Sequence, residues 1–167
     1  MGILRIPSIL VAPAALLIAF VSGSASAEFL DCSGSKVLKE ESSREVVVPG
    51  PNAELAQVSR VWRVSSKHPA FDGIDETVYM HLDHLNGTGT HTGYWILELK
   101  DGEKLRAKFE GVHYTVTRSR QWETVFQGVF RFISGTGKYE AIRGGGYYHG
   151  MENKDSGTEE YSCTASY

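Results

Sequence analysis

From Val58 onward, apolar and polar side chains alternate in short runs bounded by turn residues, and this period of two constrains the fold more tightly than any other feature. Val58 to Ser65, Thr77 to Leu85, Gly93 to Lys100, Lys104 to Thr117, Trp122 to Ser134, Gly146 to His149 and Glu159 to Ala165 read as strands. Asn86-Gly87, Asp101-Gly102 and Gly135-Thr136-Gly137 stand between them as turns, and Leu99 to Leu105, around Asp101-Gly102, carries the clearest hairpin signal. Ser33 to Glu45 is a polar opening without alternation, and no window after Ala27 carries a helical stripe. The expectation is an all-β domain built as a closed antiparallel barrel of about eight strands, a form that leaves no free sheet edge. A β-sandwich is the structural alternative; its usual mid-chain cysteine pair flanking a tryptophan is not the arrangement here.

Alternation also assigns faces, because successive side chains on a strand point to opposite sides. Leu105, Ala107, Phe109 and Gly111 share one phase against Arg106, Lys108 and Glu110, so the first set points inward and takes His113 and Thr115 with it. The same test turns Trp95, Leu97 and Leu99 inward, then Phe126, Gly128, Phe130 and Phe132, then Val78, Met80, Leu82 and His84. For the first strand the inward phase is Val58, Arg60, Trp62 and Val64.

Residues 1–27 have a positive Arg5, an apolar run from Ile9 to Val21 and a small-residue tail ending in Ala25-Ser26-Ala27, the three parts of a secretory signal peptide. Pro13 breaks the run, which is shorter than the ~20 residues that cross a bilayer. The expected mature chain is a single domain at 28–167, secreted or periplasmic and without a membrane anchor once the signal is cleaved. In an oxidising compartment its two cysteines, Cys32 and Cys163, are expected to form a disulfide that holds the ends of the domain together. The net charge of −3, with both signs interspersed, offers no basic stripe for nucleic acid and no polybasic face for a membrane. Asn86-Gly87-Thr88 fits a glycosylation sequon.

The glycine-rich stretch after Phe130 is not a phosphate loop. Gly135 and Gly137 have one residue between them, so no G-x-x-x-x-G-K-[ST] frame fits, and Gly144-Gly145-Gly146 is hostile to the helix such a loop must open onto. Read from Phe126 to Gly146, with Gly135-Thr136-Gly137-Lys138-Tyr139, Ile142, Gly144 and Gly146 in register, it resembles the G-G-T-G-x-[YF]-x-x-[IA]-x-G-x-G signature of the allene oxide cyclase barrel group, which includes dirigent proteins and small bacterial secreted proteins. Ser134 stands where the group has its first glycine. The resemblance implies a barrel in which these glycines make a tight turn and let the returning strand bend. It implies no single function, since group members include isomerases and stereochemical guides.

Six histidines invite a metal reading, led by His81, His84 and His91. His81 and His84 lie three apart on an expected strand and so project from opposite faces, and His91, within Gly87-Thr-Gly-Thr-His-Thr-Gly93, reads as a solvated loop residue; no metal site and no cofactor are assigned. There is no G-x-S-x-G elbow, and most carboxylates fall on outward phases or in turns. The suggestive set is the inward one, Arg60, Trp62, His84, Trp95 and His113, with Tyr148 added: large aromatics beside a few polar groups, as in a pocket for a small apolar or amphipathic molecule. Three functions are open: a barrel binding such a molecule in its lumen, a cofactor-free cyclase or isomerase with His84, His113 or Arg60 handling protons or charge, and an interaction protein with a solid core. Oligomer formation is compatible with each.

Overall fold

The computed structural model of the chain describes residues 29–49, 53–118, 121–153 and 157–167; the expected signal peptide at Met1 to Ala27 lies outside them. Nine strands form one antiparallel sheet: β1 Phe29–Asp31, β2 Gly34–Pro49, β3 Ala53–Ser66, β4 Asp75–Leu85, β5 Thr88–Glu98, β6 Lys104–Arg118, β7 Gln121–Gly135, β8 Arg143–Asn153 and β9 Gly157–Ser166. Consecutive strands from β2 to β9 pair in order, and β9 pairs with β8 on one edge and with β2 on the other, so eight strands make a barrel-like ring. Short β1 continues the β2 edge of β9, pairing Phe29 with Ser166 and Asp31 with Thr164. The sheet is thus single, not the two packed sheets of a sandwich.

The inward phases expected from alternation place Val58, Trp62, Val64, Val78, Trp95, Leu97, Leu105, Ala107, Phe109, Phe130 and Phe132 in the core. Large and small residues face each other across the strands: Trp95 pairs with Ala107, and Phe109 lies between Gly93 and Phe130. The Cys32–Cys163 disulfide joins the β1–β2 link to β9, with Cα atoms 5.4 Å apart and a sequence separation of 131. On the chain-entropy account, closing so long a loop contributes up to about 5 kcal/mol.

Two expectations are corrected. The polar opening is strand β2, hydrogen-bonded to β3 and β9; its inward position Lys36 is charged and fully buried, which removes the apolar signature. Strand β5 begins at Thr88, not Gly93, so His91 is a buried strand residue with 5% of its surface exposed and not a solvated loop residue.

The turn signals fall where the sequence puts them. Asn86 (φ 53°) and Gly87 (φ 76°) make the tight β4–β5 hairpin, and Leu99 N–H donates to Glu103 O across the β5–β6 turn. After β7 the chain turns through a single 3-10 turn, Gly137–Tyr139, and returns as β8. Gly137 has φ +53°, where an L side chain is strained, and an added Cβ would meet the Glu103 carboxylate. Gly137→Val is therefore expected to cost more than about 1 kcal/mol in chemical denaturation; a neutral result would contradict a left-handed requirement at this turn.

Candidate functional site

The inward side chains leave a cavity of about 260 Å³ inside the ring. Every residue of the suggestive inward set lines it: Arg60, Trp62, His84, Trp95, His113 and Tyr148. Phe109, Phe126, Val78 and Met80 complete the apolar wall, and His91, Glu152 and Glu159 add polar groups that the sequence reading did not select. His81 sits exposed on the outer face of β4, away from this space.

The polar arrangement follows from the strand register. His91, Gly111, Gly128 and Tyr148 occupy one row across β5, β6, β7 and β8. Because the two middle strands carry no side chain here, the outer two residues reach across them, and His91 Nε2 lies 2.7 Å from the Tyr148 hydroxyl, buried. A Cβ at Gly111 would meet the Gln127 carbonyl oxygen and stand 2.6 Å from that hydroxyl and 2.7 Å from His91 Nε2, and one at Gly128 would meet the Glu110 carbonyl oxygen and Tyr148. These glycines clear the cavity for a hydrogen bond between strands three apart. One row toward the exposed end, His84, Gly89 and His113 repeat the device on β4, β5 and β6, bringing His113 Nε2 to 3.5 Å from His84 Nδ1.

Charge is held in two ion pairs and one buried cluster. The Arg60 guanidinium donates to the Glu152 carboxylate, and Arg44 donates to Glu54. Deeper in, Lys36 Nζ lies 2.8 Å from Glu76 and 3.0 Å from Glu159, and 3.2 Å above the Trp95 ring, a cation–π contact on a cavity aromatic. Burial pushes the Glu76 carboxyl up to about 7 and raises Glu159 as well. One ammonium does not neutralise two carboxylates in so dry a place, so one carboxyl holds a proton. Desolvation depresses His91 to about 4, with the neighbouring His113 adding to the effect. It lowers His113 and raises the Tyr148 hydroxyl. Near neutral pH the two histidines and the tyrosine are therefore uncharged.

Among the described residues, no cluster of three His, Cys, Asp or Glu side chains is placed to hold a metal ion. What the site offers is an aromatic chamber with neutral hydrogen-bonding groups and a carboxyl, Glu159, at its buried end. The sequence does carry a signal for the buried carboxyls: Glu76 shares the inward phase of Val78, and Glu159 that of Tyr161 and Cys163. Charged residues on an inward phase contradict the expectation that carboxylates stay outside. Comparison of the chain with protein-family models and with curated proteins finds no match. The class defined by fold and site is a small all-β protein whose strand ring surrounds an aromatic cavity.

Two expectations test this geometry. Gly111→Ala should cost more than about 1 kcal/mol through forced contacts, and less when Tyr148→Phe has already removed the hydroxyl; equal costs in both backgrounds would mean that the glycine is not making room for that group. The second concerns Glu76. Because folding raises its pKa from 4.5 to about 7, its contribution to stability is complete below the lower value and is lost as pH rises through the upper one. Buried neutral His91 and His113 run the opposite way, losing stability on acidification below their ordinary 6.5. Glu76→Gln isolates the carboxyl: urea denaturation should show the variant gaining on the wild type between about pH 5 and about pH 8. A pH-independent difference would contradict this assignment.

Proposed function

We propose that this chain is an exported member of the allene oxide cyclase barrel group, closed around a lumen in which it binds a small, partly apolar molecule without a cofactor. The observation that carries the reading is the cavity of about 260 Å³, walled by Trp62, Trp95, Phe109 and Phe126 with polar side chains such as Arg60, His84 and His113 set among them. A packed interior, as the surface-interaction reading requires, would fill that space with side chains. Membership of the group is supported by the eight-strand ring and by the glycine stretch, which forms a tight turn and a returning strand as the resemblance implies. Export is supported by the Cys32–Cys163 disulfide and by the leader-like residues 1–27.

A second reading, a cofactor-free cyclase or isomerase, draws on His113 and Arg60 in the cavity wall. A neutral imidazole takes a proton and a guanidinium steadies developing negative charge. Turnover of a bound compound separates an enzyme from a binding protein.

A polarity-sensitive naphthalene dye is expected to bind the wild type at one saturable site. Met80→Trp, which fills the cavity from a half-buried wall position, should abolish binding while thermal unfolding stays cooperative. Trp95→Ala should weaken binding about fivefold or more through lost stacking area. No uptake by the wild type, or unimpaired uptake by Met80→Trp, would overturn the proposal.

A further inference from the structure

The cavity changes character from one end to the other. Its inner end is walled by Trp62, Val78, Trp95, Phe109 and Tyr148, none of them more than 4% exposed. Polar groups at that depth are taken up by the protein itself: His91 meets the Tyr148 hydroxyl, and Glu159 meets Lys36. Toward the other end the inward side chains become exposed and polar. On β6 they run from buried Phe109 to exposed Thr115, on β4 from buried Val78 to half-buried His84, and on β8 from buried Tyr148 to half-buried Glu152. Register gathers these positions into one rim. Thr115 pairs with Thr124 and Thr124 with Glu152, the two threonine hydroxyls lie 2.8 Å apart, and the Glu152 carboxylate receives the Arg60 guanidinium.

Among the described residues, the two arginines at this rim are each matched by a carboxylate, Arg60 by Glu152 and Arg44 by Glu54. The Arg60 and Glu152 side chains are only 12% and 15% exposed. A charged ligand group that displaced one of them would leave the other unmatched where water reaches it poorly, which is costly. A hydroxyl imposes no such exchange. It donates to a spare carboxylate lone pair, accepts from a guanidinium or a threonine hydroxyl, and leaves both ion pairs standing. We propose that the cavity takes neutral amphiphiles, with an apolar body lying inward against Trp62, Trp95 and Phe109 and a hydroxyl-rich head held at the rim by Thr115, Thr124 and the Arg60–Glu152 pair. This rests on the reading of the cavity as a binding site, and adds the class of molecule and the direction in which it sits. Arg60 and Glu152 set specificity by holding each other's charge, so that neither is free to attract an ion.

Octyl glucoside, octanoate and octylammonium share one tail and differ in the head, and so test the rim. Measured near neutral pH and below micelle-forming concentrations, by displacement of an uncharged naphthalene dye, the glucoside should bind the wild type about tenfold or more tighter than either ion. Glu152→Gln leaves the Arg60 charge unmatched, and octanoate should then gain about tenfold; Arg60→Gln leaves Glu152 unmatched and should do the same for octylammonium. An ion that binds the wild type as tightly as the glucoside, no displacement of a dye that itself binds, or folded variants without these gains would overturn the class while leaving the binding cavity intact. Failure of the dye itself to bind overturns the reading beneath it. Should neither variant fold, the ranking of the three probes on the wild type decides. The direction is read by NMR of the glucoside complex: contacts of the tail methyl with the Trp95 ring, and of the sugar with the Thr115 and Thr124 methyls, are expected, and a sugar against Trp95 overturns it.

Discussion

Pairing of β9 along both its edges is the constraint on which the rest of the molecule depends. It joins the last strand to β2 and β8, so the inward faces of eight strands line one barrel-like ring. Strands from opposite sides of such a ring compete for the same space, and a bulky residue in one row requires small ones beside it. Gly111 and Gly128 between His91 and Tyr148, and Ala107 beside Trp95, meet that requirement. The disulfide adds a covalent tie between the β1–β2 link and β9, the strand paired along both edges.

The interior divides into two chemically different regions that meet at Trp95. Toward its buried end, the ring face carries Lys36 with Glu76 and Glu159 behind it; on the other side lies the cavity with Phe109 and Tyr148. A buried ion cluster is a poor source of net stability, because desolvation of each charge offsets much of the mutual attraction. Its physical effect is to polarise the tryptophan from below and to hold the Glu159 carboxyl at the cavity wall. The histidines are arranged on the opposite principle: burial holds His91 and His113 uncharged, and His91 meets the Tyr148 hydroxyl.

The presence of strands β3 to β9 and the inward faces of β3 to β7 were legible because period-two alternation is a local signal, and it remained correct even where both phases carried arginine, as in β3. Strand β2 was not, since its buried Lys36 hides the alternation and its partners lie far away in sequence. The start of β5 was missed for a related reason. Thr88, Thr90 and Thr92 point outward, and Gly89, His91 and Gly93 point inward, so the alternation is between threonine and glycine and contains no hydrophobe to reveal it. The six site residues proposed from the inward phase all reach the cavity, but His91, Glu152 and Glu159 join them through cross-strand register, which a single strand does not encode.

Everything functional here requires that the ring interior be open and apolar. Diffraction from crystals held under xenon tests this directly, since xenon occupies dry apolar cavities of this size without needing any chosen ligand. Xenon is expected at one interior site in contact with Trp95, Phe109 and Phe126, with those side chains in place. An interior filled by its own side chains, with xenon absent from within the ring, would contradict the binding cavity.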